Sequence, residues 1–457
     1  MTYQPVGVIE VLAWGRRVGA VALDPDTGWY AFAFDPDWVA GGVELAPLHM
    51  PLRTDPYEFP GLSRDTFYGL PALLADALPD TFGNALVDAW MAEQGVAAAD
   101  ITPLDRLAYA ADRAMGALQF RPPAGADDGQ VPTAVQLADL VLAARLSVRG
   151  ELAADQTRTG ETAHAALQQL IQVGTSAGGA RAKAVVAFNP ASFQVHSSFG
   201  DLPPGFEQWL IKLDGVSATG MDGHGSGLGD TAPYGRIEYA YSLMAAAAGV
   251  EMAPCQLLAE GPRRHFMTRR FDRGPGGERI HMISLCALAH LDYNLRATHS
   301  YDQYLQTVTA LDLDLDALAQ AYRRMVFNVV AVNRDDHTKN FAFLRGEGDG
   351  DAPGADAGPG GDTGGWRLAP AFDLTHAYSP TSRWTRRHLM AVNAKFDAIT
   401  LDDVYAVGDR HHVPAYRRIV RQVMAAVEAW STFAGAADLD DDTTAGVATD
   451  LEHFRLR

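Results

Sequence analysis

The sequence predicts an α+β protein: a β-rich beginning, a small mixed lobe, then a mostly helical lobe. Three observations predict it. Residues 1–50 alternate apolar and polar positions between turn signals at DPDTG and AGG, the pattern of a small antiparallel sheet. Short β-type runs, KAVVAF, QWLIKL and CQLLAE, recur in the middle of the chain. From Tyr301 onward apolar residues fall at three- and four-residue spacing, with one interruption. At 457 residues the chain exceeds one ordinary domain, and the pattern shifts divide it into 1–150, 151–265 and 266–457.

Each element follows from local pattern. In Leu70–Gly95 the apolar spacing is helical, and a proline and a glycine break it into separate helices. Gly125–Pro132, GADDGQVP, reads as a linker or exposed loop, and Glu161–Gln172 as a helix leading into GTSAGGARAK. The runs KAVVAF and QWLIKL are strands, and a helix from about Ile237 to Ala248 separates them from CQLLAE. The interruption in the helical lobe is the pair FAFL and WRLAPAFDL, a hairpin. Between its arms lies Gly346–Gly365, whose Gly, Asp, Ala and Pro cannot bury a core, so it reads as a loop at the hairpin tip.

Composition excludes several classes. No apolar run approaches the roughly 20 residues that cross a bilayer, and the start has neither a basic segment nor a small-residue cleavage site. The expectation is a cytoplasmic protein with no membrane partner. Cys255 and Cys286 lie far apart in apolar surroundings and read as buried thiols. A net charge of −19 makes unaided nucleic-acid binding a poor fit. Two local basic clusters stand against it, Arg383–His388 and Arg410–Arg421; the second has helical spacing and reads as a solvated helix face.

The most informative stretch is NRDDHTKNFAFL, Asn333–Leu344, which sets charge and amide between two apolar runs. Arg334-Asp335 followed by Asn340 reproduces the R-D-x-x-x-x-N spacing of a protein-kinase catalytic loop, with Asn333 where that loop carries histidine. The residue types suit phosphoryl transfer. Asp335 accepts the substrate hydroxyl proton. Asn340 ligates Mg²⁺ without adding charge, and Lys339 neutralises the group in transfer. His337 braces the loop, and Asp336 reads as an exposed loop carboxylate.

A kinase needs a second metal-binding acid after this loop, and Asp373 in LAPAFDLTH supplies one, although alone it would read as a helix N-cap. Upstream, Lys212 in QWLIKL fits the strand lysine that meets the α/β-phosphates. Glu238 in RIEYAYSLMAAAAG fits the helix glutamate that fixes it. GTSAGGARAK is not a Walker A loop. Backbone N–H groups at Gly178, Gly179 and Ala180 would cradle phosphate, with Arg181 or Lys183 as charge partner, and a plain turn fits the spacing nearly as well.

Taken in order, these pieces resemble the HipA family of kinases, the toxin components of type II toxin–antitoxin modules. The matching segments are GLPALLADALPDTFG, DRLAYAADRAMGALQF, GTSAGGARAK, LIKL, IEYAYSLMAAAAG, RRFDR, NRDDHTKNF, LAPAFDL and HLMAVNAKFD, which span nearly the whole chain. The resemblance implies a two-lobed, protein-kinase-like fold with an N-terminal β-rich domain. It implies ATP- and Mg²⁺-dependent serine/threonine kinase activity with Asp335 as catalytic aspartate, His337, Lys339 and Asn340 completing the loop, Asp373 on the metal and Lys212 on ATP. It also implies autophosphorylation at Ser176, which would add about −1.5 to −2 charge to the glycine-rich loop and shut activity off. The implied partners are a helix-turn-helix antitoxin of the HipB type, DNA reached mainly through that antitoxin, and a protein substrate such as an aminoacyl-tRNA synthetase or another translation component. The chain departs from the family at Arg269, where a glutamate often precedes R-F-D-R, leaving backbone groups to meet the base. It departs again at HMISLCALAHLD, which bears on substrate choice.

Two other readings are compatible with these residues. One is a catalytically silent kinase-like regulator acting with a DNA-binding partner; retention of Lys212, Asp335, Asn340 and Asp373 argues against it. The other is a metal-dependent phosphohydrolase using Asp335, Asp336 and His337, for which no further His/Asp cluster of ligand spacing is present.

Overall fold

The first hairpin shows how the sequence dictates the beginning of the fold. Trp14 and Gly15 both adopt positive φ, 50° and 72°, as a two-residue turn matched to strand twist requires. They join β1 (Val8–Ala13) to β2 (Arg16–Leu23), and β3 (Tyr30–Phe34) and β4 (Leu118–Arg121) complete a sheet of order β3-β2-β1-β4. Gly19 is required where β2 passes β3, because a Cβ there would lie 2.2 Å from the Ala33 carbonyl oxygen. Ile9, Val11 and Ala13 point inward at alternate positions and are fully buried.

The structure, a computed structural model, describes residues 3–122, 182–198, 202–214, 233–347 and 365–457. The linker at Gly125–Pro132, the helix expected at Glu161–Gln172, Ser176, Gly178, Gly179, Ala180 and Arg181, and most of the Gly346–Gly365 insert lie outside the described residues. By contacts the chain forms two units, Met1–Ala218 with Met267–Ile283, and Thr219–Phe266 with Ser284–Arg457.

The first unit adds helices Thr81–Glu93 and Pro103–Ala110 to the N-terminal sheet, then β5 (Lys183–Asn189), β6 (Gln194–Ser197) and β7 (Glu207–Lys212). β5 lies between β6 and β7, antiparallel to both, and six of its seven residues are buried. Asp80 caps the helix Thr81–Glu93 by accepting from Gly83 N–H at 2.7 Å. Its other oxygen meets the Lys183 ammonium at 3.1 Å, with both side chains almost wholly buried. That pair ties a helix start to a central strand. A second buried tie joins distant segments: Asp272 takes a bidentate pair from Arg270 at 2.9 and 2.6 Å, Arg273 at 2.8 Å and Gly116 N–H at 2.7 Å. Despite full burial, which works in the opposite direction, the two guanidinium groups hold its carboxyl well below the usual carboxylate range.

The second unit begins with helix Tyr234–Ala247, then β8 (Cys255–Glu260) and β9 (Arg263–Arg269), neighbours around Gly261-Pro262. The last residues of β9 count with the first unit, as does most of β10 (His281–Ser284). β11 (His299–Ser300) opens the helix Tyr301–Ala310 through a capping box of Ser300 and Gln303. The helix Leu315–Val330 follows, and then the hairpin β12 (Ala342–Arg345) and β13 (Trp366–Leu368). β14 (Met390–Ala391) runs parallel to β11. Four further helices, Leu401–Arg410, Tyr416–Glu428, Trp430–Ala436 and Asp441–His453, close the unit. Buried tyrosines stitch it: Tyr241 Oη donates to Ala331 O at 2.7 Å and Tyr322 Oη to Val404 O at 2.9 Å. No disulfide joins the cysteines; Cys286 is buried and Cys255 half-buried. Among the described residues no helix is long and apolar enough to cross a membrane.

Candidate active site

The charged stretch follows directly from the helix Leu315–Val330. The chain leaves that helix through Val332, held at φ 54° although it is β-branched and wholly buried. A branched side chain in the left-handed region is strained, and surrounding contacts must impose it. They do: Asn333 N–H donates to Asn328 O at 2.9 Å, Arg334 N–H to Ala377 O at 3.1 Å and Ala377 N–H to Val332 O at 3.2 Å. Residues 338–340 then make a single 3-10 turn, fixed by Thr338 Oγ1 donating to Leu291 O at 2.6 Å.

Within this loop the side chains have distinct environments. Asp335 keeps 30 % of its side chain exposed, while its Oδ1 is buried and accepts no hydrogen bond within the described residues. His337 Nε2 stands 3.9 Å from that oxygen. Asn340 Nδ2 donates to the Asp335 backbone carbonyl at 2.8 Å, which turns the amide oxygen away as an acceptor. The Lys339 ammonium lies 4.9 Å from the Tyr293 ring centroid, and the same ring packs against His337 at 5.5 Å.

Asp336 is not the exposed carboxylate expected of a loop residue. It is fully buried and accepts from Tyr301 Oη at 2.8 Å and Leu389 N–H at 2.7 Å, with His388 Nδ1 at 2.8 Å. Burial alone would raise its carboxyl, but the His388 charge and these hydrogen bonds outweigh it and hold the group below its ordinary value. Tyr301 continues the chain to Asn328 Nδ2 at 3.0 Å, and Asn333 Nδ2 donates to Asn328 Oδ1 at 2.9 Å. Asn333, standing in the histidine position of the kinase loop, thus begins a buried relay that ends at His388. Sequence reasoning missed Tyr301, Asn328 and His388, since nothing local marks them. Arg334 is also buried; its guanidinium donates to Arg386 O, pairs with Asp397 at 3.4 Å and lies 3.9 Å from the Phe454 ring centroid.

Asp373 is no helix cap, because no helix follows it. It sits at φ 56°, a conformation that Asp adopts more readily than most side chains. The hairpin register explains its position. Phe343 pairs with Leu368, and Ala369 N–H donates to Ala342 O at 3.0 Å, so continuing both arms brings Asn340 and Asp373 out at the same end of the ladder. Glu238 is buried on the helix Tyr234–Ala247 of this unit.

Lys183 and Lys212 belong to the first unit, where they are cross-strand partners and share a face. Lys183 is 1 % exposed, with its charge neutralised by Asp80, and Lys212 at the end of β7 is half-buried. Arg269 is largely exposed and faces Glu207 at 3.6 Å.

The oxygen donors present suit a hard cation such as Mg²⁺: an open Asp335 carboxylate, an Asn340 amide oxygen and Asp373. Among the described residues no group of three or more His, Cys, Asp or Glu gathers as a metal site. A magnesium ion that arrives on nucleotide phosphates needs only one or two carboxylates from the protein.

A charged loop between a buried helix and a β-hairpin is the setting of the candidate site, and the family to which the chain belongs is shown by two domain matches. The HipA N-terminal domain matches residues 9–121 and the HipA-like C-terminal domain residues 175–431. The chain belongs to the HipA family. No curated protein matches it. Among solved structures it is similar to the HipA of a Shewanella oneidensis MR-1 complex of HipA, HipB and operator DNA, at 16 % identity and TM-score 0.63, covering 98 % of this chain and 95 % of that one. It also aligns with the Helicobacter pylori proinflammatory kinase CtkA, at 11 % identity and TM-score 0.27, covering 53 % of this chain and 92 % of that one.

Proposed function

We propose that this chain is an ATP- and Mg²⁺-dependent serine/threonine protein kinase and the toxin of a toxin–antitoxin module. The supporting observation is the loop Asp335–Asn340 itself. A half-open carboxylate, a lysine and an amide oxygen share one loop held by buried contacts, and Asp373 follows the paired arm of the hairpin that leaves this loop. Asp335 keeps 30 % of its side chain exposed, and its open carboxylate oxygen would accept the proton of an incoming hydroxyl. Lys339 brings positive charge to the transferring group. Asn340 and Asp373 would hold magnesium, which supplies neutralisation of the nucleotide phosphates when bound. Lys212 would contact nucleotide phosphates and Glu238 would serve as the helix glutamate, as the family pattern implies. Burial of Asp336 removes one of the three side chains that a phosphohydrolase reading would use as a ligand.

By similarity to the Shewanella complex of HipA, HipB and operator DNA, the partner would be a HipB-type antitoxin. A net charge of −19 supports reaching DNA through such a partner. The substrate would be a protein, a translation component on the family pattern, and Ser176 the site of self-inactivation. Calorimetric titration with a non-hydrolysable ATP analogue tests the nucleotide site. Binding should require magnesium, weaken about tenfold or more in Lys212→Ala, and lose its magnesium dependence in Asp373→Asn. Magnesium-independent binding by the unaltered protein would overturn this reading.

A further inference from the structure

Four arginines, Arg296, Arg383, Arg386 and Arg387, are carried by two segments bound to the loop Asp335–Asn340 in the second unit, the first two sharing Trp384 and the last two following on the same turn. Arg296, Arg383 and Arg386 are exposed and Arg387 is half-buried. Arg296 Nη1 donates to Arg383 O at 3.2 Å, and the two guanidinium groups lie 5.4 and 5.7 Å from the ring centroid of Trp384. Arg387 stands 5.7 Å from the Phe396 ring centroid. No ion pair to a carboxylate is found for any of the four among the described residues, in a chain with 56 acidic and 37 basic residues. Nearby arginines are paired: Arg334 with Asp397, Arg410 with Asp302 and Arg455 with Glu428. An acidic protein that leaves four cations together without carboxylates has kept them for something else.

Their position relative to Asp335 is fixed from both sides. The turn carrying Arg383, Arg386 and Arg387 is bound to the loop residues flanking Asp335: Arg334 donates to Arg386 O, and Asp336 takes Leu389 N–H and His388. The segment carrying Arg296 is bound through Thr338 to Leu291 O. The hydrogen bond from Arg296 to Arg383 O joins the two segments. A group held by these arginines therefore lies at a set distance from the proton acceptor.

Charge alone would admit a nucleic acid, but the aromatic residue of the cluster, Trp384, is 8 % exposed and offers no open face for a base to stack on. The −19 charge of the whole chain also opposes a polyanion extending beyond the patch. A few carboxylates on a short peptide fit better. We propose that Arg296, Arg383, Arg386 and Arg387 dock acidic residues flanking the acceptor hydroxyl, so that this site selects serine or threonine within Asp/Glu-rich segments. The proposal rests on the kinase reading for its acceptor, but not for its binding.

The test therefore has a readout that needs no catalysis. Fluorescence anisotropy would compare a labelled peptide with two Glu on each side of a central Ala, the same peptide with Gln for Glu, and a single-stranded oligonucleotide. The acidic peptide should bind about tenfold more tightly than the Gln peptide, the sum of several screened surface pairs. Added salt or the double variant Arg383→Glu, Arg386→Glu should erase that margin. The Lys versions of both should keep it, as should Arg417→Glu with Arg421→Glu on the exposed face of helix Tyr416–Glu428. Equal binding of the neutral peptide, tighter binding of the oligonucleotide, or no effect of the reversal would overturn the proposal. Matching Ser-centred peptides separate the two ideas. Preferred transfer to neutral or basic peptides overturns acidic docking and leaves the kinase intact, whereas acidic binding without transfer to any peptide supports the surface and overturns the kinase.

Discussion

Asp336 accepts from Tyr301, His388 and Leu389 N–H with no exposure to water, while its neighbour Asp335 faces solvent; the conformation of one depends on the anchorage of the other. Replacing Asp336 by Asn removes the charge opposite His388 and leaves buried donors competing for one carbonyl. A loss of about 3–5 kcal/mol is expected, read as a lower urea midpoint. Any phosphotransfer activity should fall with it even where the protein remains folded. Acid sensitivity follows from Asp336 and Asp272, whose carboxyls both lie below their ordinary values in the folded chain. At mildly acid pH the unfolded chain takes up protons that the folded chain refuses. Their contribution is thus complete above the ordinary carboxylate range and is lost as pH falls below about 4. Asp272→Asn should be less stable at neutral pH yet lose less between neutrality and strong acid, as measured by urea midpoints at both.

At the scale of elements, the strands of residues 1–50, the helices after Leu70 and the β12–β13 hairpin were legible because alternation, helical period and turn residues act over a few positions. The site was legible as a spacing, since Asp335, His337, Lys339 and Asn340 share one loop. What supports it was not: His388 meets Asp336 across 52 residues, and Gly116 meets Asp272 across 156, separations at which no local pattern operates. The same holds for Asp80 and Lys183: the sequence suggested Lys183 as a phosphate contact and did not mark Asp80, yet the two form an ion pair inside the first unit. Asp80→Leu and Lys183→Met should each cost about 3–5 kcal/mol because either breaks a buried ion pair from one side, and the double variant should recover most of the loss. A double-mutant cycle in urea measures this. Gly116 offers a backbone test: at φ 78° an added Cβ would lie 2.8 Å from Met282 N, so Gly116→Ala should destabilise by more than the roughly 1 kcal/mol typical of a left-handed glycine.

Over the whole molecule, the candidate residues fall in separate stretches of the chain: Lys212 on β7, Glu238 on the helix Tyr234–Ala247, and the loop Asp335–Asn340 and Asp373 after the helix Leu315–Val330. Each is readable in the sequence because it belongs to a compact local motif, the strand end at Lys212 or the loop at Asp335. The acidic balance of the chain and the cations left open beside Asp335 are properties of the fold as a whole, since they depend on which carboxylates reach which arginines. Joint action of Asp335 and Asp373 on magnesium-bound nucleotide is the core of the proposed function, and transfer of labelled γ-phosphate by the purified full-length chain is its sharpest test. Incorporation into protein should require magnesium and disappear in both Asp335→Ala and Asp373→Asn while their urea midpoints stay near that of the unaltered chain. Undiminished incorporation in either variant, or none in the unaltered chain under the same conditions, would contradict it.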